Sequence, residues 1–293
     1  YLHRGQPATA LPWAQRATDL LARLRVPIGT ALGTALTYTG RIDEGIAYNE
    51  KNWEPVLKGA NPLIIGVLGH ELSLTLALVR DVPRARKWGE QALAEVSKSG
   101  NPVFEGLLRR PLALIYALSG EIARAEEACQ AARAIQNKTW RGCNWEDAAS
   151  IGFHPLRQGE WEIAKEYLER MIPTYQEMNQ LAAVGAYSLT LGTLKLELGE
   201  YPQAQQLLSR SLEICRNGGN VLFELWVLPV LVELYLKIGQ LAKATGYLAR
   251  GFELLKPDQN WYGLPAPMYL AKGMLASAQQ NWEEATASFE KAI

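Results

Sequence analysis

Three histidines (His3, His70 and His154) and three cysteines (Cys129, Cys143 and Cys215) are all the imidazole and thiol groups in the chain. A structural zinc site needs about four such ligands at short spacing, and a disulfide framework needs paired cysteines. These cysteines are scattered and form no Cys-x-x-Cys, so neither is expected. His70-Glu71 opens a zincin-like helix motif, but the second histidine it requires is Leu74. The sequence contains no Gly-x-x-x-x-Gly-Lys-Ser/Thr phosphate loop and no Gly-x-Ser-x-Gly elbow. Gly29, Gly33 and Gly40 follow no strand and make no dinucleotide fingerprint. The acidic pairs Glu126-Glu127 and Glu283-Glu284 are neighbours in sequence, which do not face one another on a helix. No metal, no cofactor and no catalytic constellation is expected. The chemistry that remains is non-covalent: charged and aromatic side chains that could grip a partner.

Which of those side chains converge depends on the elements that carry them, and the elements repeat. The tight-turn glycine in Gly159-Glu160-Trp161 has counterparts at Gly5, Gly40, Arg80, Gly120, Gly199, Gly239 and Gln280, with successive gaps of 35, 40, 40, 39, 40, 40 and 41 residues. Five residues after each anchor stand Ala10, Gly45, Ala85, Ala125, Ala164, Ala204, Ala244 and Ala285; seven before it, from Gly40 onward, stand Gly33, Ser73, Ala113, Gly152, Gly192, Val232 and Gly273. Two after it come apolar or aromatic residues, among them Ile42, Trp161, Tyr201 and Trp282. The anchor suits a left-handed turn that ends one helix, and small residues mark where two helix axes approach. Asn61, Asn101, Asn220 and Asn260 recur in nearly one phase before the first helix of a unit, where Asn caps backbone N–H groups. Each unit is therefore helix A, tight turn, helix B, then a loop. A lone helix B near Pro7–Leu24 precedes about seven A–B pairs. The fold expected is an all-α, right-handed α-solenoid forming one repeat domain over residues 1–293.

The small–small–apolar code resembles the tetratricopeptide repeat, most closely over Gln280–Ile293. The period of about 40 residues exceeds the usual 34. This long variant is similar to the sensor regions of bacterial STAND-type signalling ATPases and transcription activators. The resemblance implies an interaction or ligand-sensing regulatory module rather than an enzyme, although a site for catalysis in the groove is the rival reading. The implied partners are a peptide, a protein domain (of the same polypeptide included) or a small-molecule effector.

In such solenoids helix A lines the concave face. The repeat offsets place His70, Arg110, Glu146, Phe153, Trp226 and Glu233 there, on four A helices, with Thr30, Thr34, Thr37 and Thr193 on the same side. This set is the expected binding surface: a mix of charge and aromatic faces for a ligand with apolar and hydrogen-bonding parts. The plainer reading is mutual packing across a narrow groove, supported by Leu74, Leu114 and Leu189 at equivalent offsets. Trp140 and Trp261 fall in B–A loops, and Trp145 near the start of an A helix. Pro111, Pro155 and Pro229 sit inside predicted A helices, where each must kink the helix or free a carbonyl.

Lys+Arg and Asp+Glu are 30 each, so no bulk field recruits nucleic acid or an anionic membrane. No apolar run approaches the roughly 20 residues of a membrane helix, and a reducing cytoplasm suits the cysteine usage. The chain opens on a helix B and ends while a B helix is still forming its apolar face, so a fragment of a larger multidomain protein is expected.

Overall fold

The computed structural model describes residues 1–23, 31–59, 61–139 and 161–293. Among these the chain is helical, without strands. Helix α1 (Pro7–Arg23) is the lone B helix. Then come α2 (Ala31–Tyr38) and α3 (Ile42–Lys51), followed by a short added helix, α4 (Trp53–Gly59). The next pairs are α5 (Pro62–Leu78) with α6 (Val82–Ser97), and α7 (Pro102–Leu118) with α8 (Ile122–Thr139). Helix α9 (Trp161–Glu177) is a B helix; the A helix expected before it falls in 140–160, outside the described residues. Three pairs complete the chain: α10 (Leu181–Glu197) with α11 (Tyr201–Gly218), α12 (Val221–Lys237) with α13 (Leu241–Leu254), and α14 (Pro265–Ala278) with α15 (Trp282–Glu290). Sequential helices pack on one another, as a solenoid requires.

The turn code accounts for the joints. All seven anchors among the described residues are left-handed, with φ between +60° at Gln280 and +89° at Gly40. From Gly40 onward each of these turns ends an A helix with two backbone bonds, as where Asp81 N–H reaches Leu76 O at 2.8 Å and Arg80 N–H reaches Ala77 O at 3.0 Å. Asn61, Asn101 and Asn220 cap α5, α7 and α12 through their side-chain oxygens. Asn260 does not cap a helix. It accepts Tyr262 N–H within the loop before α14, because that loop runs on to Leu264 before the helix begins.

The small-residue positions are close contacts. Ala85, Ala125, Ala164, Ala204 and Ala244 are fully buried. A Cβ on Gly192 would stand 2.8 Å from Leu208 of the paired B helix. The apolar phase two residues after the anchor is less uniform than its pattern implies. Ile42 is buried, but Trp161, Leu241 and Trp282 are exposed.

The solenoid folds back on itself. Its first three anchor turns touch repeats far along the chain. His3 O accepts Ala182 N–H at 3.2 Å, at the start of α10. Around the Gly40 turn, the Gln259 side chain donates to Gly40 O and accepts Ile42 N–H, while Asp43 accepts Asn260 N–H at 3.0 Å and the Tyr262 hydroxyl at 2.8 Å. At the Arg80 turn, Gly263 N–H donates to Val79 O at 2.9 Å, and Trp226 Nε1 donates to Leu78 O at 3.0 Å. The early repeats form one arm and the late repeats another, and the arms meet along these turns.

Candidate ligand-binding site

Helices α10, α12 and α14 are successive A helices, and their inner faces border an open-mouthed cavity of about 210 Å³. Leu189 and Thr193 come from α10, and Leu225, Trp226, Pro229, Val230 and Glu233 from α12. Leu264, Pro267, Leu270, Ala271 and Met274 line the third side. Arg80, from the other arm, completes the lining, and its guanidinium lies 5.0 Å from the centre of the Trp226 ring. That arrangement is a cation–π contact. The walls are mainly aliphatic, and among the described residues the ionisable groups lining the cavity are Arg80 and Glu233.

Glu233 is half-buried, and burial is the main reason its carboxyl sits above the usual carboxylate range. Glu197 on α10 pushes it the same way and Lys237 opposes. Trp226 and Glu233 are seven residues apart, so both lie on one face of α12, about 10 Å apart along the axis.

The structure distributes the residues predicted for the concave face. Trp226 and Glu233 line the cavity together, with Thr193. His70 is buried on α5, where its Nδ1 lies 2.9 Å from Leu107 O. That bond has a physical origin. Pro111 has no N–H, so the carbonyl of Leu107 loses its normal helical partner, and His70 of the preceding A helix reaches it. Arg110 is 8% exposed on α7 and does not line the cavity. Thr34 donates to Glu71, joining α2 to α5, and Thr37 donates to Gly33 O within its own helix at 3.0 Å. Thr30, Trp140, Trp145, Glu146, Phe153 and Pro155 lie outside the described residues. Trp261 is buried in its loop and donates to Lys256 O at 2.7 Å. Cys129 is buried, as its core position implies, and burial pushes the Cys215 thiol up to about 12.

Sequence reasoning missed Arg80, Leu270 and Met274. Arg80 carried a signal, since it replaces glycine at a left-handed anchor, but no periodicity could tell that its turn meets α12 of the other arm. No group of three or more metal-ligating side chains occurs among the described residues.

Comparison with known proteins gives the same architecture. No known family profile matches the chain, and no curated protein matches it in sequence. Among solved structures, the APC/C hetero-tetramer Cut9–Hcn1 aligns over 100% of this chain and 54% of its own, with 14% identity and a TM-score of 0.63. Aspartyl phosphate phosphatase F from Bacillus subtilis aligns over 78% of this chain and 70% of its own, with 12% identity and a TM-score of 0.53. The chain is a solenoid of tetratricopeptide type. At these identities the likeness is one of fold, and function has to be argued from the site.

Proposed function

We propose that this chain is a regulatory binding module whose ligand or partner enters the concave face at the cavity between α10, α12 and α14. The carrying observation is the cavity itself: three successive A helices form its floor and walls, and Arg80 of the opposite arm closes one side. A concave, mainly apolar pocket with a few polar groups is the usual form of a small-molecule site. Its position explains how binding would be read out. A ligand that touches both arms favours the arrangement in which they meet, so occupancy shifts the fold-back contact.

Catalysis is the weaker reading. Glu233 is displaced from its ordinary pKa, as an active-site acid would be, but the only other ionisable lining group among the described residues is the guanidinium of Arg80. A guanidinium neither gives up a proton nor attacks as a nucleophile. The occurrence of Cut9 in a hetero-tetramer with Hcn1 accords with partner binding by this fold. The long period supports attachment to a bacterial signalling ATPase or transcription regulator in the cytoplasm.

The test is a thermal-shift screen of metabolites and short peptides against the wild type and Val230→Trp, which fills the cavity from a half-buried lining position. Ligands of this site should raise the wild-type Tm and leave the filled variant unmoved. Hits that stabilise both proteins equally, or no hits at all, would refute the cavity as the binding site.

A further inference from the structure

We infer that the cavity selects a small organic cation, a protonated amine on an apolar body, with its ammonium seated against Glu233. The inference rests on the reading of the cavity as a binding site and goes further by naming the chemistry of the ligand.

Two comparisons inside the molecule carry it. The first is between two acids on α12. Glu224 has a side chain only 4% exposed, and Arg216 and Arg250 both grip its Oε1, at 3.0 and 3.1 Å. That is the normal treatment of a buried carboxylate. Glu233, two and a half turns further on, faces the cavity and has no hydrogen-bond or ion-pair partner among the described residues. The second comparison is between two prolines. Pro111 frees the carbonyl of Leu107, and His70 reaches it. Pro229 likewise deprives the carbonyl of Leu225 of its usual helical donor, and Leu225 and Pro229 both line the cavity. The acceptor this wall presents to the cavity is the Glu233 carboxylate. An ammonium supplies three N–H donors and a positive charge, and a charge-assisted bond to a desolvated carboxylate is among the stronger polar contacts.

The surrounding charges give the ligand a direction. Glu197 on α10 reinforces the negative end, while Lys237, the nearest cation on α12, is exposed at the rim. Arg80 lies over Trp226 at the other end, about 10 Å along the helix. A cation is repelled from that end and drawn to Glu233, and its apolar body lies along Leu189, Ala271 and Met274. The small volume fits a free amine rather than a folded partner.

The experiment is isothermal titration of the full chain with hexylamine and phenethylamine, and with hexanol, 2-phenylethanol and hexanoate as matched probes. The amines should bind the wild type at least tenfold more tightly than the alcohols. Glu233→Gln should abolish that preference, bringing the amines to within about threefold of the alcohols, with its melting curve showing that it is folded. Acidification toward the Glu233 titration should weaken the amines alone, because the protonated acid neither attracts nor accepts from an ammonium as well. Equal binding of amine and alcohol, tighter binding of hexanoate, or an amine preference that survives in Glu233→Gln would each overturn the proposal. If alcohols or hexanoate bind the wild type but not Val230→Trp, the cavity stands and the cation does not. Absence of binding by every probe overturns the cation proposal, and the wider screen with Val230→Trp then decides separately on the cavity.

Discussion

The turns at Gly40 and Gly199 are local copies that meet different surroundings. Both have left-handed φ, +89° and +74°, and both end an A helix with the same pair of backbone bonds. Around Gly199 nothing lies within 4 Å of where a Cβ would be; around Gly40 the side chain of Val221, at the start of α12, stands 3.0 Å away. The turns at Gly120 and Gly239 are open like that of Gly199, whereas the Gly5 turn packs on α10 and the Arg80 turn on Gly263. One local code thus makes the joints, and long-range packing recruits three of them to bring the arms together.

Adding the same side chain to both turns should separate them. Gly199→Leu should lose about 1–2 kcal/mol, for left-handed backbone alone. Gly40→Leu adds overpacking against Val221, for a total loss of roughly 2–5 kcal/mol. Urea denaturation of the two variants checks it, and equal losses would mean that the Gly40 turn is not packed. Next in size is a change within one pair. Ala204→Leu, at a fully buried contact between α10 and α11, should cost about 1–3 kcal/mol and lower the Tm. An unchanged melting curve would show the helix register to be wrong. Smaller again is Gln259→Ala, which removes the side-chain bonds to Gly40 O and Ile42 N–H. We expect a loss of about 1–2 kcal/mol, at the usual net value of a hydrogen bond. No loss by denaturation would make the Gly40 seam decorative.

The smallest effect concerns Glu233 and has the opposite sign. Its folded-state pKa is raised, so the folded protein holds the proton more tightly than the unfolded chain. The stability this supplies is fully present below the unfolded value and is lost as pH rises through the raised folded one. At pH 7 the ionised acid therefore burdens the fold, and Glu233→Gln should melt slightly above the wild type there. A lower Tm at pH 7 would reveal a stabilising partner for the acid.

Much of the fold was legible because its signals are local. Glycine at the anchor, alanine five residues on and asparagine before helix A each act within a turn or two, and the 40-residue spacing repeats them. Even Arg80 and Gln280, which break the glycine pattern, adopt its backbone. The site was legible in part. Trp226 and Glu233 share a helix face, so their offset alone put them together. His70 satisfies the helical offset equally well, yet its side chain answers a proline on the next A helix, a need visible only once α5 and α7 are in contact. Arg80 and the Gln259–Gly263 loop were not legible, because their contacts join residues more than 140 positions apart, as Trp226 and Leu78 show. No helix of the described residues is long and apolar enough to cross a membrane.

The two arms meet beside the cavity, and the backbone amide of Gly263 reports on that contact directly. It sits in a loop and donates across the seam to Val79 O at 2.9 Å. Hydrogen exchange resolved to this amide should show strong protection in the wild type and its loss in Gly40→Leu, with α13 and α14 still protected. Exchange of Gly263 in the wild type at the rate of an unstructured loop would contradict the closed arrangement and the cavity that Arg80 completes.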